Sequence, residues 1–290
     1  MKTIKDLSIV IASNLKNINQ LHINQINKYA EHGIQIILSI PSNLEIIDAY
    51  NIGFSKNISI IKSKTIGQVN QRQYAFQFCK SSFIIQMDDD IEFCIEKINC
   101  LLSEFKKLPL KSCLAPYLNL EKNSYTRNKN FLKNIFLYCS LNPKSGTIAR
   151  SSFPIPHNIN NTSNLESKEE VSWLPGGILI LRKEDIITKN YFPFKGKAYC
   201  EDLIHSHYLK KNGVKLYLSK NIFFNTEVQS YRDLNLDGFL NLIMHDFLIR
   251  NYYRKLKKNK LLPFLLAYSF IVLSFFSTKI KRNYLNFKNK

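Results

Sequence analysis

Three consecutive carboxylates, Asp88-Asp89-Asp90, follow directly on the apolar run Ser82–Met87, SFIIQM. Like charges this close repel one another unless a cation or solvent intervenes. Asp88 and Asp90, two positions apart, can aim at one hard cation such as Mg²⁺ or Mn²⁺, which prefers oxygen ligands and shares its remaining sites with water and phosphate. A solvated acidic turn at a strand end is the plainer alternative. Downstream, Cys200-Glu201-Asp202 opens a helical stretch, where the positive end of the helix dipole suits acidic residues in any case. The chemical reading there is a general base, a carboxylate placed to take a proton from an incoming hydroxyl. Trp173-Leu174-Pro175-Gly176-Gly177 lies between the two acidic sites. Paired glycines let backbone approach a ligand closely, and the Trp offers a flat apolar surface; a turn before a strand is the alternative. His205 and His207 would sit two apart on a helix and point about 200° from each other, which suits packing better than sharing one ion.

The elements that must hold these residues alternate in type. Leu7–Ala12 (LSIVIA) is a continuous apolar run, as expected of a strand buried on both faces. Asn17–Glu31 carries a helical stripe, and Gly33 follows at a C-cap position. Further strands are expected at Ile34–Ile40, Asn57–Ile61, Ser82–Met87, Cys113–Tyr117, Ile178–Leu181 and Val214–Leu218. Helices are expected at Gly67–Cys79, Ile95–Lys107, Glu201–Asn212 and Leu236–Lys258. Such alternation implies an α/β domain on a mostly parallel sheet covered by helices. In open parallel sheets ligands bind beyond the carboxyl ends of the strands, which is where Asp88–Asp90 fall. Between Leu118 and Glu170 the pattern dissolves into Asn, Ser, Lys and Pro, with one helix near Phe131–Cys139, and reads as an irregular insertion at a binding face. The expected division is therefore 1–230 for the α/β domain, with its insertion at 118–170, and 231–290 for a C-terminal helical segment.

With 290 residues, 45% hydrophobic and 22% charged, the chain can fold around one large core or two small ones, which excludes a wholly disordered protein. Its net charge of +19 is uneven: Arg250–Lys290 holds 11 Lys and Arg and no Asp or Glu, leaving +8 for the first 249 residues. Leu261–Thr278 is an uncharged run of 18 residues between lysines, interrupted by Pro263. As a helix it spans roughly 27 Å, just short of a ~30 Å hydrocarbon core. Three readings stand: a short or re-entrant membrane helix, an interfacial helix held by its apolar face and by anionic headgroups, or a helix packed on the rest of the chain. Membrane contact is favoured. A basic tail with an apolar centre suits lipid better than a phosphate backbone, so nucleic acid is not an expected partner. Six scattered cysteines with no C-x-x-C pair point to a reducing compartment and to buried, hydrophobe-like thiols. The N-terminus runs into a strand pattern with no signal-peptide layout, so the expected location is cytoplasmic, at the inner face of the cell membrane.

Taken in order, the pieces are an apolar N-terminal strand, Gly67-x-x-x-x-Arg72, a strand ending in Asp88-x-Asp90, Gly176-Gly177 with a following strand and Arg182, and Glu201-Asp202 before a helix ending in Lys211-Asn212-Gly213. This series resembles the family 2 glycosyltransferases of the GT-A fold, over roughly Leu7 to Leu218. The resemblance implies a single Rossmann-like GT-A domain that moves a sugar from a nucleotide-diphospho-sugar donor to an acceptor hydroxyl, with inversion at the anomeric carbon. It gives Asp88 and Asp90 the metal–diphosphate role, with Mn²⁺ or Mg²⁺ as cofactor. It makes Asp202 the catalytic base, has Glu201 orient the site, sets Arg72, Gly176 and Gly177 against the donor, and turns Trp173 toward the acceptor. The family commonly carries an acidic residue at the end of its second strand. Here Ile37–Asn43 has no carboxylate, and Ser13 and Asn14 after the first strand are left to hydrogen-bond a base. Gln229-Ser230-Tyr231-Arg232-Asp233 has the Q-x-x-R of processive members without the Trp, which implies single addition. The implied partners are the donor, a carbohydrate or lipid-linked acceptor and a membrane surface, in synthesis of a surface polysaccharide or glycolipid. A nucleotidyltransferase would need a Gly-rich basic loop after the first strand, which Ser13-Asn14-Leu15-Lys16 does not provide. A noncatalytic scaffold on the same fold is the other alternative; the presence of Asp88, Asp90 and Asp202 together argues against it.

Overall fold

The run LSIVIA becomes strand β1 (Leu7–Ala12), and every side chain in it is buried. A computed structural model of the chain describes residues 6–16, 18–31, 33–91, 94–120, 131–157, 167–194, 198–226 and 234–288. After β1 come α1 (Gln20–Glu31), β2 (Gln35–Ile40), α2 (Ile46–Asn51), β3 (Ser59–Lys62), α3 (Gln68–Phe76), β4 (Phe83–Asp88), α4 (Ile95–Lys106) and β5 (Ser112–Leu120). They are followed by α5 (Phe131–Tyr138), β6 (Lys168–Glu170), β7 (Ile178–Arg182), α6 (Glu201–Lys211), β8 (Lys215–Thr226), α7 (Leu236–Leu256) and α8 (Leu261–Lys288). The chain divides into two compact units, 1–121 with 161–227, and 122–160 with 228–290.

The first unit is built on an eight-stranded sheet in the order β3-β2-β1-β4-β7-β5-β8-β6. Strands β1, β2, β3 and β4 pair in parallel, as do β5 and β8, whereas β7 runs antiparallel to both β4 and β5 and β6 antiparallel to β8. Helices cover both faces, which is why the central strands β1, β2 and β4 are buried at nearly every position and mostly apolar, with Ser8, Ser39 and Gln86 the buried polar exceptions. Ile9 and Ile11 of β1 join Ile36 and Leu38 of β2 and Ile98 and Leu101 of α4 in one core. Val10, pointing the other way, joins Ile37 and the α3 residues Ala75 and Phe76 in a second. The mixed α/β architecture agrees with the expected mostly parallel sheet. Two short elements, α2 and β6, had no counterpart in the sequence reading, because pieces this brief show no usable period. Strand β8 also runs on past Leu218 to Thr226: after a register shift between Ala115 and Tyr117, its pairing with β5 resumes.

The second unit gathers residues 122–160 with the C-terminal helices, a grouping that differs from the division expected at 231. Aromatic packing is the reason. Phe136 of α5 stacks on Phe270 of α8 at 6.0 Å between ring centroids, and Phe153 meets Tyr268 at 5.3 Å. Helices α7 and α8 form an antiparallel hairpin, with Phe239 stacked on Phe275 at 3.8 Å near one end and Phe247 against Phe264 at 5.1 Å toward the other. Inside it, Tyr268 donates to Asp246 at 2.5 Å, and Arg250 forks onto the same carboxylate at 2.8 and 3.2 Å.

The cysteines depart in part from expectation. All six are free thiols, but only Cys79 and Cys113 are buried, while Cys100 is exposed and the others are half-buried. An apolar neighbourhood in sequence does not decide which side of a helix a thiol occupies. For the core itself, Ile9→Ala should cost ~2–5 kcal/mol, because Ile9 is 0% exposed and both sheet and helices are too tightly packed to close the gap. Leu110→Ala, at a position 71% exposed, should change stability by less than about 0.5 kcal/mol. Urea unfolding midpoints of the two variants would check the contrast.

Candidate active site

The sheet polarity decides which residues meet. Strands β1 and β4 run in parallel with Ala12 opposite Asp88, so the residues just past each strand end, Ser13 and Asp89, become neighbours. The Ser13 hydroxyl donates to Asp89 at 2.5 Å and accepts from the Leu15 amide at 2.9 Å. Strand β7 enters from the same edge because it is antiparallel, which places the approach loop Trp173–Gly177 beside the acidic turn. There the Asp88 amide donates to the Gly177 carbonyl at 2.8 Å, and Gln86 donates to the Gly176 carbonyl at 3.2 Å. Helix α6 precedes the parallel strand β8, so it begins at this edge as well, bringing Glu201 and Asp202 with it.

Helix α3 supplies the link between the acidic groups. Gly67 starts it with a φ of 130°, a backbone state open to glycine at little cost. Gln68 and Arg72 then stand one turn apart on a common face. Both donate to Asp88 Oδ1, Gln68 at 2.7 Å and Arg72 through Nη2 in a short ion pair. Arg72 Nη1 reaches Glu201 Oε2 at 3.1 Å, and the other Glu201 oxygen accepts from the Tyr191 hydroxyl. One guanidinium, 2% exposed, therefore bridges carboxylates from β4 and α6. Gly176 lies against the same pair: a Cβ there would stand 3.1 Å from Glu201 Oε2 and 3.4 Å from Asp202 Cβ. A larger residue would push into the carboxylates.

The charges respond to this packing. Burial works against the charge of Arg72, but Asp88 and Glu201 outweigh it and raise its pKa, so it stays cationic. Burial pushes the Asp88 carboxyl up to about 7; Arg72 opposes the shift, while Asp90 and Glu201 add to it. Burial also raises Asp89, partly offset by the Ser13 hydrogen bond. The Tyr191 phenol, raised by burial and by Glu201, remains a protonated donor. His205 stacks on the Tyr191 ring at 4.9 Å, and burial holds its pKa down to about 4. Among the described residues five carboxyl groups (Asp88, Asp89, Asp90, Glu201, Asp202) thus share one edge with the buried Arg72. Among the described residues no three His, Cys, Asp or Glu side chains form a metal cage. Asp88 and the exposed Asp90 do suit a cation that needs only one or two carboxylates and completes its shell with phosphate and water.

The expected site residues are placed as follows. Asp88, Asp90, Arg72, Gly176, Gly177, Glu201 and Asp202 stand at one edge of the sheet. Asp202 is half-buried, with Oδ1 accepting from the Leu203 amide at 2.9 Å. Half-buried Trp173 precedes Leu174, whose amide donates to Ser206 of α6 at 3.0 Å. Arg72, expected to face a donor, is instead enclosed, both its terminal nitrogens being engaged by carboxylates. Ser13 turns its hydroxyl to Asp89, and exposed Asn14 accepts from the Lys16 amide at 3.0 Å. Arg182 sits at the far end of β7, donating to the carbonyls of Leu108 and Pro109 at 3.1 and 3.0 Å. The Gln229–Asp233 stretch lies outside the described residues. Sequence reasoning missed Gln68 and Tyr191, whereas His205 is packed as its position on the helix led one to expect. The four-residue spacing of Gln68 and Arg72 was a usable signal, whereas Tyr191 stands in an irregular stretch with none.

Two outcomes follow from the buried network. Arg72→Met should destabilise by ~3–5 kcal/mol by stranding Asp88 and Glu201, and Arg72→Lys should recover only part, since an ammonium cannot fork onto both. The unfolded chain protonates His205 near its ordinary 6.5 but the folded chain only near 4. Stability therefore falls as pH drops through that window, by up to about 3 kcal/mol. Denaturant titrations on either side of the window should show a shallower fall for His205→Phe.

The sequence matches no protein-family model and no curated protein. Its structure is similar to that of GalNAc-T7, solved with UDP, GalNAc and Mn²⁺, at a TM-score of 0.52 and 13% identity, over 84% of this chain and 48% of that one. The chain thus spans about half the length of that protein. The mannosyltransferase PcManGT from Pyrobaculum calidifontis, in complex with GDP-Man and Mn²⁺, aligns at a TM-score of 0.47 and 8% identity over 91% of this chain and 68% of its own. A mycobacterial protein aligns at 0.45 and 11% over 81% and 70%. The fold of this chain is the GT-A type of the glycosyltransferases.

Proposed function

We propose that the chain is a metal-dependent, inverting glycosyltransferase of family 2, which transfers a sugar from a nucleotide-diphospho-sugar to an acceptor hydroxyl. The observation that carries this reading is the Arg72 bridge, which joins Asp88 of the acidic turn to Glu201, the neighbour of Asp202, across 129 positions of sequence. A donor diphosphate brings charge to an edge rich in carboxylates, a repulsion that a cation would relieve. Arg72 and Gln68 both take Asp88 Oδ1, and Asp88 and Asp90 are the residues that would hold Mn²⁺ or Mg²⁺. A cation held there would supply the charge that offsets the leaving diphosphate. The similarity in fold to a protein solved with UDP, GalNAc and Mn²⁺ accords with this class of donor.

The remaining roles fall to the chain's own groups. Asp202 takes the proton from the acceptor oxygen as that oxygen displaces the diphosphate in line, and no covalent sugar–enzyme intermediate is needed. Glu201 is held by Arg72 and Tyr191 and so acts as a positioning residue for Asp202. Arg72 works through Asp88 and Glu201. Gly176 and Gly177 line the donor side closely, Ser13 sets Asp89 and, with Asn14, borders the place of the base, and Trp173 offers the acceptor a flat face. We assign the protein to the inner face of the cell membrane, held there by its second unit, with a carbohydrate or lipid-linked acceptor in surface polysaccharide or glycolipid synthesis.

Asp202→Asn should lower transfer by about 10²–10⁴-fold, the range of a general base, while leaving the Mn²⁺-dependent thermal shift given by a nucleotide-sugar intact. Asp90→Asn should weaken that shift itself. Transfer at the unmodified rate by Asp202→Asn would overturn the assignment of the base.

A further inference from the structure

We propose that the second unit is an in-plane docking platform for an anionic lipid surface, with α8 lying along the membrane and not across it. The inference develops the membrane contact proposed above and is independent of sugar transfer.

Residues 261–281 of α8 are long and apolar enough to cross a bilayer, with a mean hydropathy of 1.9. The two faces of the helix nevertheless differ. Phe264, Ala267, Tyr268 and Phe275 are buried against α5, α7 and the 149–155 segment. Leu262, Leu265, Leu266, Leu273, Phe276 and Ile280 are exposed and recur at three-, four- and seven-residue steps on the opposite side. Helix α7 adds an exposed stripe of its own at four-residue steps, Leu240, Met244 and Leu248.

A spanning orientation is opposed by what the buried face holds. Tyr268 lies seven residues inside the apolar stretch, about 10 Å along the helix. Its hydroxyl is bonded to Asp246, which is paired with Arg250, and Arg250 lies 4.2 Å above the Phe153 ring. Crossing the bilayer would draw this ion pair and the polar helix α7 into hydrocarbon, where charged groups are costly. An in-plane orientation leaves them on the solvent side and buries only the exposed stripe.

Charge identifies the occupant. Residues 122–160 and 228–290 hold 18 Lys and Arg against 3 Asp and Glu, so the second unit carries +15 of the chain's +19. Exposed lysines stand at both ends of the α8 stripe, Lys257, Lys258 and Lys260 before it and Lys281 after it. An in-plane helix sets both clusters at the headgroup level of one leaflet, whereas a spanning helix sends one of them across. Anionic lipid, in contrast to a second equally basic copy of the chain, complements them.

Cosedimentation of the full chain with vesicles tests the proposal. Binding should be at least about tenfold stronger to phosphatidylcholine containing phosphatidylglycerol than to phosphatidylcholine alone, and should weaken with salt. L262D/L273D and, separately, K257E/K260E should each lower it by about tenfold or more, with unchanged circular dichroism since all four positions are exposed. Alkaline carbonate should strip the bound protein. Equal binding to both vesicles, or carbonate resistance with residues 261–281 protected from protease, would overturn the proposal. So would loss of self-association without loss of lipid binding in L262D/L273D, which would assign the stripe to a second copy. None of these measurements uses a sugar donor, so their failure leaves the transferase reading to its own tests.

Discussion

A buried guanidinium must be matched by carboxylates, and at Arg72 that requirement organises the whole carboxyl edge of the sheet. Its two terminal nitrogens are committed to different elements, β4 through Asp88 and α6 through Glu201. Without it both carboxylates would lose their ion-pair partner, and the arginine could not be enclosed without them. The planar fork suits this task because it presents two donors at a set angle. Tyr191 and Gln68 then take further acceptor positions on the same carboxylates, so rotation of either acid would break several bonds together. The acidic turn and the first turn of α6 are in this way held as one object.

Chain direction supplies the rest of the assembly. Parallel strands end their hydrogen-bonded run at one edge, and the helix before a parallel strand starts there. The single antiparallel strand beside β4 must therefore be approached from that edge too. At Gly176 the backbone lies close enough to Glu201 and Asp202 that a Cβ would crowd them. Cys200, with a φ of 52°, holds the left-handed conformation at the start of α6, a strained state for a residue with a Cβ. Strain at the entry to the helix that carries the acids fits the pattern of backbone spent on aiming side chains.

The two units divide the physical labour. The first is close to neutral and buries its apolar residues inside a two-faced sheet. The second carries most of the excess positive charge and leaves much of its apolar surface outside. Aromatic stacking and the Asp246–Arg250–Tyr268 cluster hold its helices together while their outer faces stay open.

Strand and helix positions in the first unit were readable from sequence because burial on both faces leaves runs dominated by apolar residues, broken only by Ser8 in Leu7–Ala12 and by Gln86 in Phe83–Met87. The acidic turn, the glycine pair and the Glu201-Asp202 step were readable as types, since local chemistry alone marks them. Their meeting was not, nor were the enclosure of Arg72, the part of Tyr191 and the packing of Phe136 and Phe153 against α8. These depend on contacts between positions far apart in the chain, set by strand order, helix polarity and the shape of aromatic side chains. Local pattern determined which residues could act; long-range packing decided which of them face one another, because a carboxylate's partners are chosen by the fold and not by its neighbours in sequence.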